Sequence, residues 1–562
     1  MEKYSVRDLP SEGVLSDYSE IERRLLYGRF IKDNEEAKRF LSVSYESGTH
    51  DPFLLTDMDK AVSRIIKAMN SKEKIAIFGD FDADGLCASV CWKDFFRRAN
   101  YENVSFYIPH RHDEGFGLNS QALNELSLDG VSLVITVDCG IADIEVLKEV
   151  SNLGFDVIVT DHHEPVNGLP EVTAVVDPKR KDCSYPNPNL TGAGVAFKVI
   201  QGILSKQRFN IPEGHEKWLL DLVGISNVSD YVPLVGENRV LTHYGLLVLR
   251  KSPRSGLVKL CRKLNLSQTN LTEDDIGFMI APRLNAASRM GSSEDAFVLL
   301  STYDEAEANR VVSKLEKVNN ERKGVVASIV KEVKKNNEVL EGNDVIVTGN
   351  PKWRPSLLGL VANSLAQEFS KPVFLWGRDG SQVIKGSCRS SGGVDVLNLM
   401  SSVEGVLKQY GGHKFAGGFS VDFDQVHTLR DELNVAYKKN DVVLKEELKE
   451  VDGVLSLDDV NISMFRKLEK FSPFGVGNPK PVFKFSNVLI KNIKLFGKQK
   501  EHIELVFENS KKVDVRSIGF FMKLESFDRK VEEGSRVDLI ATMELSYFKG
   551  RPELRLRIVD IC

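Results

Sequence analysis

The sequence predicts an α/β protein: a parallel-sheet domain joined by a long helix to a smaller α/β domain, with a small β-barrel or sandwich at the C-terminus. Three patterns predict it. Residues 72–170 alternate short apolar runs with amphipathic stretches, as a parallel sheet covered by helices does. Residues 305–340 carry one apolar stripe in a charged background, the mark of a single long helix. Beyond Asn478-Pro479, runs such as Ile503-Glu-Leu-Val-Phe507 and Leu554-Arg-Leu-Arg-Ile558 alternate in character, which suits strands with one face in water.

In chain order, residues 1–55 are expected as an N-terminal helical segment and residues 56–304 as the first α/β domain. Its strands are Ile75-Ala-Ile-Phe78, Ser105-Phe-Tyr-Ile108, Leu133-Val-Ile-Thr-Val137 and Val157-Ile-Val-Thr160. The connector, 305–342, has its stripe at Val311, Leu315, Val318, Val325, Ile329 and Val333, interrupted only by Gly324. The second α/β domain, 343–445, has strands near 345–348, 373–376 and 383–388 and a glycine-rich segment at 410–418. Residues 446–562 form the last domain. A chain of 562 residues is too long for one hydrophobic core, which agrees with several folding units.

Composition narrows the function class. With 42% hydrophobic and 28% charged residues the chain reads as globular, and no run approaches the roughly 20 apolar residues that cross a bilayer. The start, MEKYSVRDLP, lacks the basic and apolar regions of a secretory signal, so the cytoplasm is the expected compartment and no membrane partner is expected. Seven cysteines, with Cys87 and Cys91 the closest pair, fit reduced structural thiols better than a zinc site. The net charge of −5 does not by itself point to nucleic acid. Residues 481–562, however, carry 16 Lys and Arg against 12 Asp and Glu, a mildly basic tail on an acidic body.

The chemistry lies at the strand ends. Three apolar runs end directly in Asp80-Phe-Asp82-Ala-Asp84-Gly85, Asp138-Cys139-Gly140 and Asp161-His162-His163. Carboxyl ends of strands line the crevice of an open α/β sheet, so the three clusters should converge. Asp80, Asp82 and Asp84 point one way if the strand stays extended and fan outward if the chain turns at Gly85; either arrangement suits a hard divalent cation. An EF-hand loop is excluded, because the twelfth residue from Asp80 is Cys91 and not glutamate. Adjacent histidines favour Mn²⁺, Fe²⁺ or Zn²⁺ over Ca²⁺. Asp230, after the apolar segment 219–225, is a fourth candidate. So many ligands exceed the needs of one cation, and two cations about 3.5–4 Å apart are a standard device for phosphoryl hydrolysis, with one carboxylate bridging them.

These motifs, in this order, resemble those of the DHH phosphoesterase superfamily. His50-Asp-Pro-Phe53, Asp177-Pro-Lys-Arg180, Gly192-Ala-Gly-Val-Ala-Phe-Lys198, Ala281-Pro-Arg-Leu-Asn-Ala-Ala287, Gly411-Gly-His413 and Phe474-Gly-Val-Gly-Asn-Pro479 resemble its RecJ family in particular, from about residue 20 to the end. The resemblance implies a DHH catalytic domain, a DHHA1 substrate-binding domain and a C-terminal OB-fold. It implies a single-stranded-DNA-specific 5′-to-3′ exonuclease of DNA repair and recombination that uses two ions of Mn²⁺ or Mg²⁺. A helicase and a single-strand-binding protein are the candidate protein partners.

By the same resemblance Asp82, Asp84, Asp138, His162 and Asp230 are metal ligands, with Asp138 the bridge. Asp80 orients a ligand or water, and His163 contacts the scissile phosphate or leaving group. Arg289, Arg389 and Ser390 grip phosphates, and Gly412 and His413 let backbone and ring approach the strand. Lys491, Lys494, Lys498 and Lys500 near Phe496, and Arg551, Arg555 and Arg557 near Tyr547 and Phe548, would track it along the OB-fold.

The chain departs from the family pattern in three places. Trp353-Arg354-Pro-Ser356 stands where Trp-His and a later glycine are usual, Ser288 replaces a glycine, and Ile225-Ser-Asn-Val-Ser229 replaces the commoner Gly-Thr-Val-Ala before Asp230. Two other functions would use the same scaffold: a phosphodiesterase for short oligoribonucleotides or cyclic dinucleotides, and a catalytically silent replication scaffold like Cdc45. A strand-tracking barrel argues against the first and a complete ligand set against the second.

Overall fold

A computed structural model describes residues 3–336, 340, 342–378, 383–391, 393–439, 448–497, 500–547 and 551–562. Lys498, Phe548 and the expected boundary at 445/446 lie outside the described residues.

The first sheet has five parallel strands in the order Val104–Tyr107, Ile75–Gly79, Leu133–Val137, Asp156–Thr160 and Ala174–Val176. The last strand adds to the four expected from sequence and is followed directly by Asp177. Because side chains alternate along a strand, each strand feeds two cores. Ile75, Ile77, Ile135, Val137 and Ile158 pack with helices Met58–Asn70, Ala83–Arg98 and Gly192–Lys206. Ala76, Phe78, Val134, Val157 and Val159 pack with helix Ser120–Leu128 on the other face. The chain leaves Ile75–Gly79 toward one edge and returns to Leu133–Val137 on its other side, so the crevice opens where strand order reverses.

The connector helix, Glu305–Lys334, is capped by Asp304 and ends short of residue 342. Its stripe serves two cores: Val311, Val312 and Leu315 join the first domain, and Ile329 and Val333 pack with helix Pro355–Phe369 of the second. The second sheet runs Gln409–His413, Ala416–Val421, Ile384–Arg389, Val373–Gly377 and Ile346–Gly349, antiparallel except for the last pair.

The C-terminal strands Phe483–Phe496, His502–Glu508, Asp514–Phe520, Glu553–Ile561 and Arg536–Ser546 close into a barrel through the pairing of the first with the last. Residues 1–55 are helical at Glu20–Tyr27 and Asn34–Leu41, but Tyr4–Val6 is a strand paired in parallel with Lys449–Val451. Leu15, Leu25, Leu26 and Ile31 share the barrel's core, whereas Tyr45 and Leu55 join the core of the first domain, so the segment divides between the two by packing. Arg239 ties the first domain to the same body, donating to the carbonyls of Phe40 at 2.7 Å and Ser472 at 2.8 Å. All seven cysteines are free thiols, and no described helix is long and apolar enough to cross a membrane.

Candidate metal centre

The clusters converge. Strand Ile75–Gly79 delivers Asp80, and the chain turns at once into helix Ala83–Arg98 with Asp82 as its cap. Asp82 Oδ1 accepts from the backbone N–H of Asp84 at 2.8 Å and of Gly85 at 3.3 Å. Asn285 Oδ1 accepts from Ala83 N–H at 2.8 Å, which gives the Asn-Ala-Ala segment a scaffolding role. The three carboxylates therefore fan outward, and the turn precedes Gly85. At Gly85 a side chain would meet the backbone of Asp80 at 2.6 Å.

Asp84 points inward. The N–H groups of Gly192 and Ala193, at the start of helix Gly192–Lys206, donate to its Oδ2 and Oδ1 at 2.7 and 2.8 Å, and Ser226 Oγ donates to Oδ1 at 2.7 Å. A helix N-terminus is a natural seat for a carboxylate. Asp138, just past its strand, holds a left-handed φ of 63° that a non-glycine residue adopts only at a cost.

Asp161 does not enter the centre. Its Oδ1 receives His162 N–H at 2.7 Å and lies 2.7 Å from His163 Nδ1, while Oδ2 receives Ile141 N–H at 2.9 Å. It orients the two histidines. His162 Nε2 lies 3.0 Å from Asp138 Oδ1, 3.5 Å from Asp84 Oδ2 and 3.9 Å from Asp230 Oδ2. Asp230 comes from the C-terminal end of helix Leu220–Ser229. His163 is 45% exposed against 8% for His162, so it faces the solvent side.

Three overlapping ligand groups result, each with its donor atoms within 4.8 Å: Asp80, Asp82 and Asp138 in the first, Asp84, His162 and Asp230 in the second, and Asp138, His162 and His163 in a third that joins them. Asp138 belongs to the first and touches His162 of the second. The residues fit a pair of divalent cations because lone pairs converge here without donors to satisfy them: Asp80 Oδ1 and Asp138 Oδ1 are buried with no hydrogen-bond partner. Burial and the neighbouring carboxylates push Asp80, Asp82 and Asp138 above the usual carboxylate range and Asp230 up to about 8. Burial lowers His162, leaving a neutral ring that can ligate. Burial also opposes protonation of His163, but the bond to Asp161 and the charges of Asp161, Asp230 and Asp84 outweigh it and raise the ring to about 9.

Cations face this acidic floor. Arg111, in the loop after strand Val104–Tyr107, lies over the Phe81 ring at 4.8 Å from its centroid, with the charges of Asp80 and Asp82 nearby. The sequence reading missed it: a lone arginine in a loop carries no pattern. Arg289 feels the charges of Arg111, Arg322 and Arg389, and burial together with these lowers it to about 10. Its Nη1 donates to the Ser356 carbonyl at 2.7 Å while Ser356 Oγ donates to the Arg289 carbonyl at 2.9 Å, a reciprocal clasp between the two α/β domains. Arg389 reaches past Gly359, where a Cβ would come within 2.8 Å of its Nη2. The Ser390 hydroxyl donates to the Val394 carbonyl. Gly412 and His413 lie in the hairpin Gln409–His413/Ala416–Val421, where a Cβ at Gly412 would meet the Ala416 carbonyl at 2.4 Å. On the barrel, Phe496, His502 and Phe520 cluster, with Arg555 and Arg557 over the Phe520 ring and both paired with Glu544; Lys491 is paired with Glu508 and Asp514.

Comparison with known proteins agrees with this architecture. The models of the DHH family N-terminal domain, the DHHA1 domain and the RecJ OB domain match residues 74–225, 342–439 and 451–560. The single-stranded-DNA-specific exonuclease RecJ of Bacillus subtilis is 34% identical over 544 residues, covering 95% of this chain and 67% of that one. The chain belongs to the RecJ family. The RecJ of Escherichia coli K12 is 28% identical over 99% of this chain and 97% of its own. The crystal structure of Thermus thermophilus RecJ in complex with Mn²⁺ superposes with a TM-score of 0.79 at 26% identity, covering all of this chain and 79% of that one. Ser356 makes the clasp to Arg289, and Ser226 bonds Asp84.

Proposed function

We propose that this protein is a single-stranded-DNA-specific exonuclease that uses two divalent cations, Mn²⁺ or Mg²⁺, to release mononucleotides from the 5′ end. The observation that carries the reading is the pair of ligand groups meeting at Asp138 and His162, with Arg111 and Arg289 close enough to feel the charge of Asp82. The RecJ relatives bear the activity in their names, and Thermus thermophilus RecJ has been solved with Mn²⁺ and with Mg²⁺.

In this reading Asp82 and Asp138 would hold one cation beside Asp80, and Asp84, His162, Asp230 and Asp138 would hold the other. Bound there, the cations supply Lewis acidity toward a water and the phosphoryl oxygens. The chain's own residues do the rest. Asp161 fixes Nδ1 of His163 and leaves Nε2 to donate to the scissile phosphate or leaving oxygen. Arg111, Arg289 and Arg389 hold phosphates, and the barrel's aromatic and arginine cluster holds the strand farther on. A single-strand enzyme needs unwound DNA, which is the reason to propose a helicase and a single-strand-binding protein as partners, in cytoplasmic DNA repair and recombination. A barrel that tracks strands has no use in a phosphodiesterase for dinucleotides.

Hydrolysis, with Mn²⁺, of single-stranded DNA labelled at either end, beside RNA and duplex counterparts, tests the reading. Immediate release of a 5′-terminal mononucleotide from single-stranded DNA alone is expected. Release from the 3′ end would overturn the polarity, and turnover of dinucleotides alone would overturn the substrate.

A further inference from the structure

Ser226 lies 142 residues from Asp84 in sequence and contacts it directly in space. It is fully buried in helix Leu220–Ser229, within the segment Ile225-Ser-Asn-Val-Ser229. Its single hydroxyl proton has two acceptors in reach, Asp84 Oδ1 at 2.7 Å and Thr191 Oγ1 at 2.6 Å. An ionised carboxylate accepts only and makes the stronger, charge-assisted bond, so it takes that proton.

The consequence is an asymmetric carboxylate. Oδ1 of Asp84 is engaged by two donors, Ala193 N–H and Ser226 Oγ–H. Oδ2 has one, Gly192 N–H, and turns its remaining lone pair toward His162 Nε2, 3.5 Å away. Ser226 is itself fixed from behind. Thr191 caps helix Gly192–Lys206 by accepting from Gly194 N–H at 3.1 Å, and with the Ser226 proton on Asp84 its own hydroxyl proton goes to Ser226 Oγ at 2.6 Å, with Asn227 Oδ1 3.0 Å away. Asn227 Nδ2 in turn donates to Thr242 Oγ1 at 3.0 Å. Each member of this buried network is held by the next, so the hydroxyl has little freedom to leave the carboxylate.

We infer that Ser226 is a positioning residue for the cation site formed by Asp84, His162 and Asp230: it occupies Oδ1 so that Asp84 presents Oδ2 alone. This rests on the two-cation reading above. The site of Asp80 and Asp82 has no contact with Ser226 among the described residues, so the two sites should respond differently to its loss.

The test is Mn²⁺ titration by calorimetry on the full-length wild-type, Ser226→Ala and Ser226→Cys proteins, with metal-free melting temperatures measured alongside. The cysteine fills the serine's space with a poor donor, which separates packing from hydrogen bonding. Wild type should bind two Mn²⁺, and both variants should weaken one of them about 10–100-fold while leaving the other unchanged. Two unaltered affinities in Ser226→Ala would overturn the inference and leave the two-cation reading intact. Full affinity in Ser226→Cys, or equal weakening of both sites with a lower melting temperature, would make the role one of packing and also overturn it. A wild-type protein that binds no Mn²⁺ would sink the two-cation reading itself.

Discussion

Gly192 lies so close to Asp138 that a side chain at position 192 would sit 2.5 Å from the Asp138 Cβ and 2.9 Å from its Cγ. The same glycine gives its N–H to Asp84, so one residue serves both halves of the metal centre. Asp138 already holds a left-handed backbone and has little room to yield. Gly192→Ala should therefore displace Asp138 and cut hydrolysis at least about 100-fold, since a shift near 1 Å at a reacting centre costs that much. Single-strand affinity, measured by fluorescence anisotropy, should change little. Near wild-type turnover would show that the crevice can relax around the methyl group.

Arg111 should matter through its shape as well as its charge. Its guanidinium lies over Phe81 and faces the acidic floor, where a planar fork can hold a phosphate that a lysine meets only as a point charge. Arg111→Ala should lower kcat/KM by about 100-fold, and it should lessen the salt dependence of strand binding by about 0.7 in the slope of log K against log salt. Arg111→Lys should restore the slope and not the rate. Unchanged rates in the alanine variant would remove Arg111 from the phosphate path.

The metal-free protein should show a stability that depends on pH with a definite sign. Burial and the charges of Asp84 and Asp82 raise Asp230 from an ordinary 3.8 to about 8 in the folded chain. A raised folded value means that the stabilisation is full below the unfolded pKa and is lost as pH rises through about 8. The melting temperature without metal should fall between pH 7 and 9, and Asp230→Asn should flatten that fall. Because a cation binds the deprotonated site, added Mn²⁺ should raise the melting temperature more at pH 9 than at pH 7. A metal-free melting temperature that is flat in wild type over this range would contradict the assignment.

Phe521 tests the barrel. It is 81% exposed, and its ring stands 4.7 Å from His502 beside the cluster of Phe496 and Phe520. Deleting residues 481–562 would strip Leu25 and Leu26 of their core, so a point change is the cleaner probe. Phe521→Ala should cost about 1–3 kcal/mol of binding to long strands, the usual worth of a stacked base. Cleavage of trinucleotides should be untouched, and equal losses on both would remove the barrel from the strand's path.

The three strand-end clusters were legible because a parallel sheet puts the ends of its apolar runs at one crevice, so Asp80, Asp138 and His162 could be brought together from order alone. Asp230 was not legible in that way, since it ends a helix: its place after the apolar segment 219–225 made it a candidate, and only the family resemblance made it a ligand. Arg111 carried no local signal, and the segment holding Ser226 stood out only against the family resemblance: each residue matters through what the fold brings beside it. The glycine-rich stretch at 410–418 read as a segment of close approach and is a hairpin, where Gly412 faces Gly417 across the strands. The opening residues read as helical, but their strand pairs with residues 449–451, a contact that no local pattern encodes.

The central claim is that Asp138 joins two cation sites, and the Asp138→Ala protein tests it most directly. Hydrolysis of single-stranded DNA and Mn²⁺ stoichiometry should be measured together on wild type and variant, with strand affinity as the control for folding. The account predicts two tightly bound Mn²⁺ in wild type, loss of tight binding at both sites and of hydrolysis in the variant, and an unchanged strand affinity. Hydrolysis near the wild-type rate, or one site lost with the other intact, would contradict it.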